Sequence, residues 1–184
     1  MFVRDFIHVD QPFEVVAPRF VSDTSWLAPI AEEAAVVARD VAHTLALPDP
    51  ATAGTGSTAD LGGCRNGHTH NGDGDATGNG ARSHPGWVGA VRCEVGPVRA
   101  RAQSIFVPMW LIDVTGTAVL PDLNGDLEVA PVGSDRSVIS LGATYRRAGP
   151  GREAALRIER ATEAGVRTFL SGIAGYLGRP LSTV

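Results

Sequence analysis

The chain has 184 residues, 43% of them hydrophobic and 20% charged, and a formal net charge of −4. That is enough apolar material for one core and too little charge to hold such a chain unfolded, so a single domain over 1–184 is expected. Every basic group is one of 16 arginines and they are scattered, which argues against the continuous positive field that sequence-independent nucleic-acid binding needs. Two cysteines, Cys64 and Cys93, are too few for a disulfide framework. Arg4 and Asp5 interrupt the N-terminal apolar run where a signal peptide would need continuity, and no later run approaches the ~18 apolar residues of a membrane span. A cytoplasmic protein without membrane partners is expected.

The first residues, FVRDFIHV, alternate as a strand does, with Val3, Ile7 and Val9 on one side and Phe2, Phe6 and His8 on the other. Asp10 and Pro12 then signal a helix start, and a short helix through Val15, Val16 and Phe20 is expected, shortened or kinked at Pro18. Ser22 to Ser25 offers a second start before Trp26, Leu27 and Ile30. The run 31–47 fits two patterns. Ala34, Val37, Val41 and Leu45 recur at helical spacing, while Val36, Val37 and Val41 also suit a strand.

Residues 48–86 contain ten glycines, no glutamate and almost no large apolar side chain except Leu61, so the segment is expected to be an inserted, disordered loop. Within it, Cys64, His68, His70, Asp73 and Asp75 are ligand-type side chains. Zinc sites usually pair ligands in two short-spaced clusters, and here there is one loose cluster. As a calcium loop opening at Asp73, the twelfth position is His84 where a bidentate glutamate belongs. No metal and no cofactor is therefore expected.

Beyond the loop, WVGAVRCEV alternates, with Trp87, Val91, Cys93 and Val95 on one face and Arg92 and Glu94 on the other. Gly96 and Pro97 mark a turn. SIFVPMWLIDVT reads as a strand in which Pro108 implies a bulge or an edge. DLEVAPV and SVISLGATYR are strands joined by a hairpin at Gly133 to Asp135, the second with Ile139, Leu141, Ala143 and Tyr145 on one face. A helix closes the chain, with an apolar stripe of Val166, Phe169, Leu170, Ile173, Tyr176 and Leu177. Gly165, Gly172 and Gly175 inside it each cost about 0.5–1 kcal/mol relative to alanine, which demands either close packing or room for a guest.

This order of elements, with the pieces VDQPFEVVAPRFVSDTSWLAPIA, VRCEVGP, FVP, VTG, VLPDLNGDLEVAPVGSDRSVISLGATYR and ATEAGVRTFLSGIAGYL, resembles the helix-grip fold of the START and polyketide cyclase superfamily, often labelled SRPBCC, in an actinobacterial branch. The resemblance covers nearly everything outside the glycine-rich loop. It implies an α+β protein with a curved antiparallel sheet of six or seven strands, two short helices and a long C-terminal helix. It also favours a strand for Val36 to His43, and sets the chain apart by an extra residue around Met109 and Trp110 and a short RRAGPGREAALRIER segment before the last helix.

The same resemblance implies a cavity between sheet and C-terminal helix that takes a small hydrophobic molecule, polyketide-like or lipid-like. Face alternation then nominates Val91, Cys93, Leu127, Val129, Leu141 and Tyr145 as walls, with Met109, Trp110, Phe169, Ile173 and Tyr176; the alternative is that all are ordinary core. Cyclases of the superfamily orient a poly-ketone chain through Arg, Tyr and Trp groups and assist enolisation, which points to Tyr145, Asp113 and Arg146 as catalytic candidates. The plainer reading leaves Arg99, Arg101 and Arg146 on solvated strand faces, Asp113 capping a turn and His8 at the surface. A third possibility is a non-catalytic regulatory or partner-binding protein that uses the 48–86 loop. No nucleophile elbow, HExxH pair or CxxC anchors an enzyme mechanism.

Overall fold

The structure, a computed structural model, describes residues 1–46, 91–114, 121–146 and 151–178. These all belong to one compact unit, Met1–Leu47 with Gly89–Val184. The second unit, Pro48–Val88, lies outside the described residues, and with it the metal and disorder readings of the glycine-rich stretch and the position of Trp87.

The elements run β1 (Phe2–Val9), α1 (Phe13–Ser22), α2 (Leu27–Thr44), β2 (Val91–Val95), β3 (Arg99–Ala100), β4 (Ile105–Asp113), β5 (Leu123–Val132), β6 (Arg136–Tyr145) and α3 (Arg152–Leu177). The six strands form one curved antiparallel sheet in the order β1-β6-β5-β4-β2, with β3 pairing β4 beside β2. Because a strand's side chains alternate, the register lines up whole rows of the inner face: Ile7, Ile139, Val129 and Ile105 in one, Leu141, Leu127 and Val107 in the next, and Val3, Ala143, Gly125, Met109 and Val95 in the one after. α3 packs against β1, β6 and α2, and α2 covers β2. This is the helix-grip arrangement, an α+β architecture with one sheet face covered and the other open to water.

Several local expectations are corrected. The run 31–47 is helical as far as Thr44, so the strand favoured for Val36 to His43 does not form, and α2 has 18 residues where a short helix was expected. The reason is tertiary: Ala31, Ala34, Ala35 and Ala38 make a small-residue face that buries against α3 and the sheet. Pro108 makes no bulge, since β4 pairs β5 without interruption from Ile105 to Leu111; it takes an edge position, with no strand partner on its other side among the described residues. Pro108 is tolerated because it stands where β2 ends and β3 has not begun; its carbonyl accepts the Gly96 N–H at 2.8 Å, and no donor is asked of its own nitrogen. Finally, α3 begins at Arg152, so most of RRAGPGREAALRIER is the first part of the helix itself. α1 also continues four residues beyond Pro18.

The helix glycines divide by environment. A Cβ on Gly172 would lie 2.5 Å from Ile30 Cγ2, and one on Gly165 would lie 3.0 Å from Ala38 Cβ. Around Gly175 nothing is within 4 Å. Two of the three therefore exist to let α2 and α3 approach closely, not to make space. Gly125 serves the sheet: a Cβ there would collide with the Gly142 carbonyl oxygen at 2.3 Å and with Ala143, so β5 and β6 close on one another only because that position is bare.

Polar contacts fix the lower end of α3. The Gln11 side-chain amide donates to the Leu177 carbonyl at 2.8 Å, and the buried Ser137 hydroxyl donates to the Gln11 carbonyl at 2.9 Å. Tyr176 stacks on Trp26 with centroids 4.4 Å apart, and Trp26 Nε1 donates to the Asp23 carbonyl. No described helix is long and apolar enough to cross a membrane.

Candidate functional site: an apolar hollow under the second helix

Most of the space between sheet and α3 is filled. Leu127, Val129, Ile139, Phe169 and Ile173 have no measurable exposure, and Leu141 and Leu170 have almost none. The packing loosens towards the α2 side, where a hollow of about 40 Å³ remains. Ala31, Ala34, Ala35 and Ala38 of α2 roof it, Thr162, Gly165, Val166 and Phe169 of α3 form a side, and Val91, Leu111, Asp113, Pro121 and Leu123 close it from the sheet. It persists because four alanines face the sheet while close α2–α3 contacts at Gly165 and Gly172 hold the helix in place; the four methyls are too short to fill what that leaves.

The polar groups on its wall are few. Asp113 projects inward from the end of β4 with its side chain 6% exposed and accepts from Arg39 Nη2 of α2 at 3.1 Å, so one ion pair joins roof and floor. A near-buried pair of this kind loses hydration as it forms, and it contributes more to fixing geometry than to stability. Thr162 is buried, and its hydroxyl has no hydrogen-bond partner among the described residues. That is a costly arrangement, on the order of 1–3 kcal/mol for an unmade hydrogen bond.

Of the residues nominated from the sequence, Val91, Phe169 and Asp113 line the hollow. Met109, Leu127, Val129 and Leu141 on the inner sheet face and Ile173 on α3 lie in filled core. Cys93 also points inward, beside Leu111, and burial pushes its thiol up to about 11. Trp110 cannot share a wall with Met109, its neighbour on an alternating strand: it lies on the outer face, 37% exposed. Tyr176 is occupied with Trp26. Tyr145, Asp113 and Arg146 are not brought together. Asp113 is engaged by Arg39, and Arg146 is exposed beyond the end of β6. Tyr145 is buried beneath α3, where burial first and then the charges of Glu159 and Glu163 hold its phenol above the ordinary tyrosine value. A phenol so placed stays protonated and is a poor proton acceptor. The plainer reading holds for the rest: Arg99 pairs with Asp126 on the outer face, Arg101 lies over Phe106, and His8 meets Phe6 edge-on.

The α2 alanines, Thr162, Gly165, Val166, Leu111, Pro121 and Leu123 were missed. Their one sequence signal is alanine at 31, 34, 35 and 38, the i, i+3, i+4, i+7 pattern of a helix face made of small residues.

No family model and no curated protein matches this sequence. Among solved structures the chain is similar to the Zhui aromatase/cyclase from Streptomyces sp. R1128, over 100% of this chain and 99% of that one, with 12% identity and a TM-score of 0.36. A likeness of that size transfers no reaction and no residue.

Proposed function

We propose that the protein binds a small hydrophobic molecule in the hollow under α2, as a carrier or sensor with no reaction of its own. The observation that supports this most is the lining: ten apolar residues, one threonine and one glycine line a partly enclosed space with a single carboxylate at its edge. Ligand sites are mostly apolar with a few placed polar groups. A cyclase would need a proton-transfer group facing the guest; the nominated Tyr145 phenol does not line this space, and the nominated Asp113 carboxylate at its edge is engaged in the ion pair with Arg39.

Size sets the condition for binding. Pockets for drug-sized ligands run from about 300 to 1,000 Å³, against about 40 Å³ in this state. A polyketide-like or lipid-like guest therefore enters by lifting α2 away from β2 and β4. Close packing at Gly165 and Gly172 ties α2 to α3, so the give lies between α2 and the strands, across the Arg39–Asp113 pair.

A dye-displacement titration with aromatic polyketides and fatty acids tests the proposal, run beside an Ala35→Leu variant that occupies the hollow with its own side chain. Saturable binding to the native chain and at least about tenfold weaker binding to the variant is the expected result. Equal binding to both, or none to the native chain, refutes it.

A further inference from the structure

The sheet face turned away from the helices carries a second feature. On β1 the outward column holds Phe2 and Phe6, 64% and 60% exposed, with Arg4 between them. Single exposed apolar side chains are ordinary, but two rings on one short strand beside a furrow make a patch. The furrow, about 540 Å³, is lined by Arg4, Phe6, Glu128, Ala130, Val138 and Ser140. Small β6 side chains floor it, so the face presents a ridge next to a groove.

Charge is arranged to match. Arg4 stands on the β1 side of the furrow and Glu128 on the β5 side, with β6 between them. Among the described residues neither takes part in an ion pair, whereas nearby Asp126 takes Arg99 and Asp5 takes Arg167. The open edge of β1 is less suited to association. The Phe6 N–H already donates to Asp5 Oδ1 at 2.9 Å, and a carboxylate there discourages pairing with another strand.

We propose that this face is the interface of a two-fold homodimer: Phe6 of each copy seats in the other's furrow, and Arg4 of each copy opposes the other's Glu128. A two-fold interface must be self-complementary, and a surface with its ridge beside its groove and its cation across from its anion satisfies that requirement with one contact made twice.

Sedimentation velocity on the full chain between about 1 and 100 µM is the test. The native chain is expected to associate to a dimer, and Phe6→Glu to weaken association by about 100-fold or more. Arg4→Glu and Glu128→Arg should each weaken it by at least about tenfold, because symmetry makes every reversal a pair of like-charge contacts. An equal mixture of those two single variants should dimerise again, since in the mixed dimer both charge pairs are opposite in sign. That recovery cannot come from misfolded variants. A native chain that is monomeric across the range overturns the proposal. So does a dimer that survives Phe6→Glu, a mixture that fails to recover, or a dimer abolished by deleting residues 48–86 while Phe6→Glu leaves it intact.

Discussion

Replacing Gly172 by alanine sets two effects of known sign against each other. Removing a glycine from a helix interior gains about 0.5–1 kcal/mol. Against that, the new methyl would sit 2.5 Å from Ile30 Cγ2. Ile30 is β-branched and in a helix, so its χ1 has one strongly preferred rotamer and cannot simply turn aside. Overpacking of this kind costs about 1–3 kcal/mol, leaving a net loss of about 0.5–2 kcal/mol. For a chain of this length that lowers Tm by about 2–6 °C. Gly175→Ala, with nothing within 4 Å, is the internal control and should raise Tm by about 2 °C. In an Ile30→Ala background the clash is gone, and Gly172→Ala should turn stabilising, a coupling of about 1–3 kcal/mol. Differential scanning calorimetry on the four chains of this cycle and on the control reads every term. If Gly172→Ala stabilises the native background as much as Gly175→Ala does, α2 and α3 are not in close contact, and the account of why the hollow survives is wrong.

Gly125→Ala should cost about 3 kcal/mol or more, because the methyl meets the backbone of β6, which cannot yield without opening the sheet; a chemical denaturation midpoint unchanged from the native chain would contradict this. Arg39→Met removes the cation from a nearly buried carboxylate and should cost about 2–4 kcal/mol, with Asp113→Leu in the same chain recovering at least half, measured by urea unfolding; additive losses would show that the pair is uncoupled. The Cys93 thiol has a folded value near 11 against an ordinary value of 9.0. The folded state thus holds its proton more tightly than the unfolded one, so the contribution is complete below pH 9 and is lost between pH 9 and about 11, roughly 3 kcal/mol in all. Tyr145 acts with the same sign, so Cys93→Ala should shallow the alkaline fall in stability without abolishing it, and a slope unaffected by that change would count against the buried thiol.

What could be seen in advance follows from where the physics is local. The sheet was legible because one face is buried and the other wet, which writes a period of two into FVRDFIHV and SVISLGATYR. The hairpin at Gly133 was legible for a related reason: a backbone at φ +71 favours glycine. α2 was not, since its valines carry strand propensity while its alanines and glutamates favour a helix, and the buried alanine face against α3 and the sheet accords with the helix. Trp110 was misplaced because an unbroken apolar run conceals its own alternation. The inner face as a whole was identified, yet nothing in the period of two says which part of it is filled. That depends on how near α2 comes to α3, a distance set by Gly165 and Gly172 meeting Ala38 and Ile30 from far away in sequence.

The most direct test uses alanine-methyl-labelled protein and nuclear Overhauser contacts to a bound fatty acid or aromatic polyketide. The methyls of Ala31, Ala34, Ala35 and Ala38 line the hollow, whereas Ala130 borders the furrow on the opposite sheet face. Contacts from the guest to the four α2 methyls and none to Ala130 are predicted. Contacts confined to Ala130, or saturating guest with the four α2 methyls unmoved, would contradict the account.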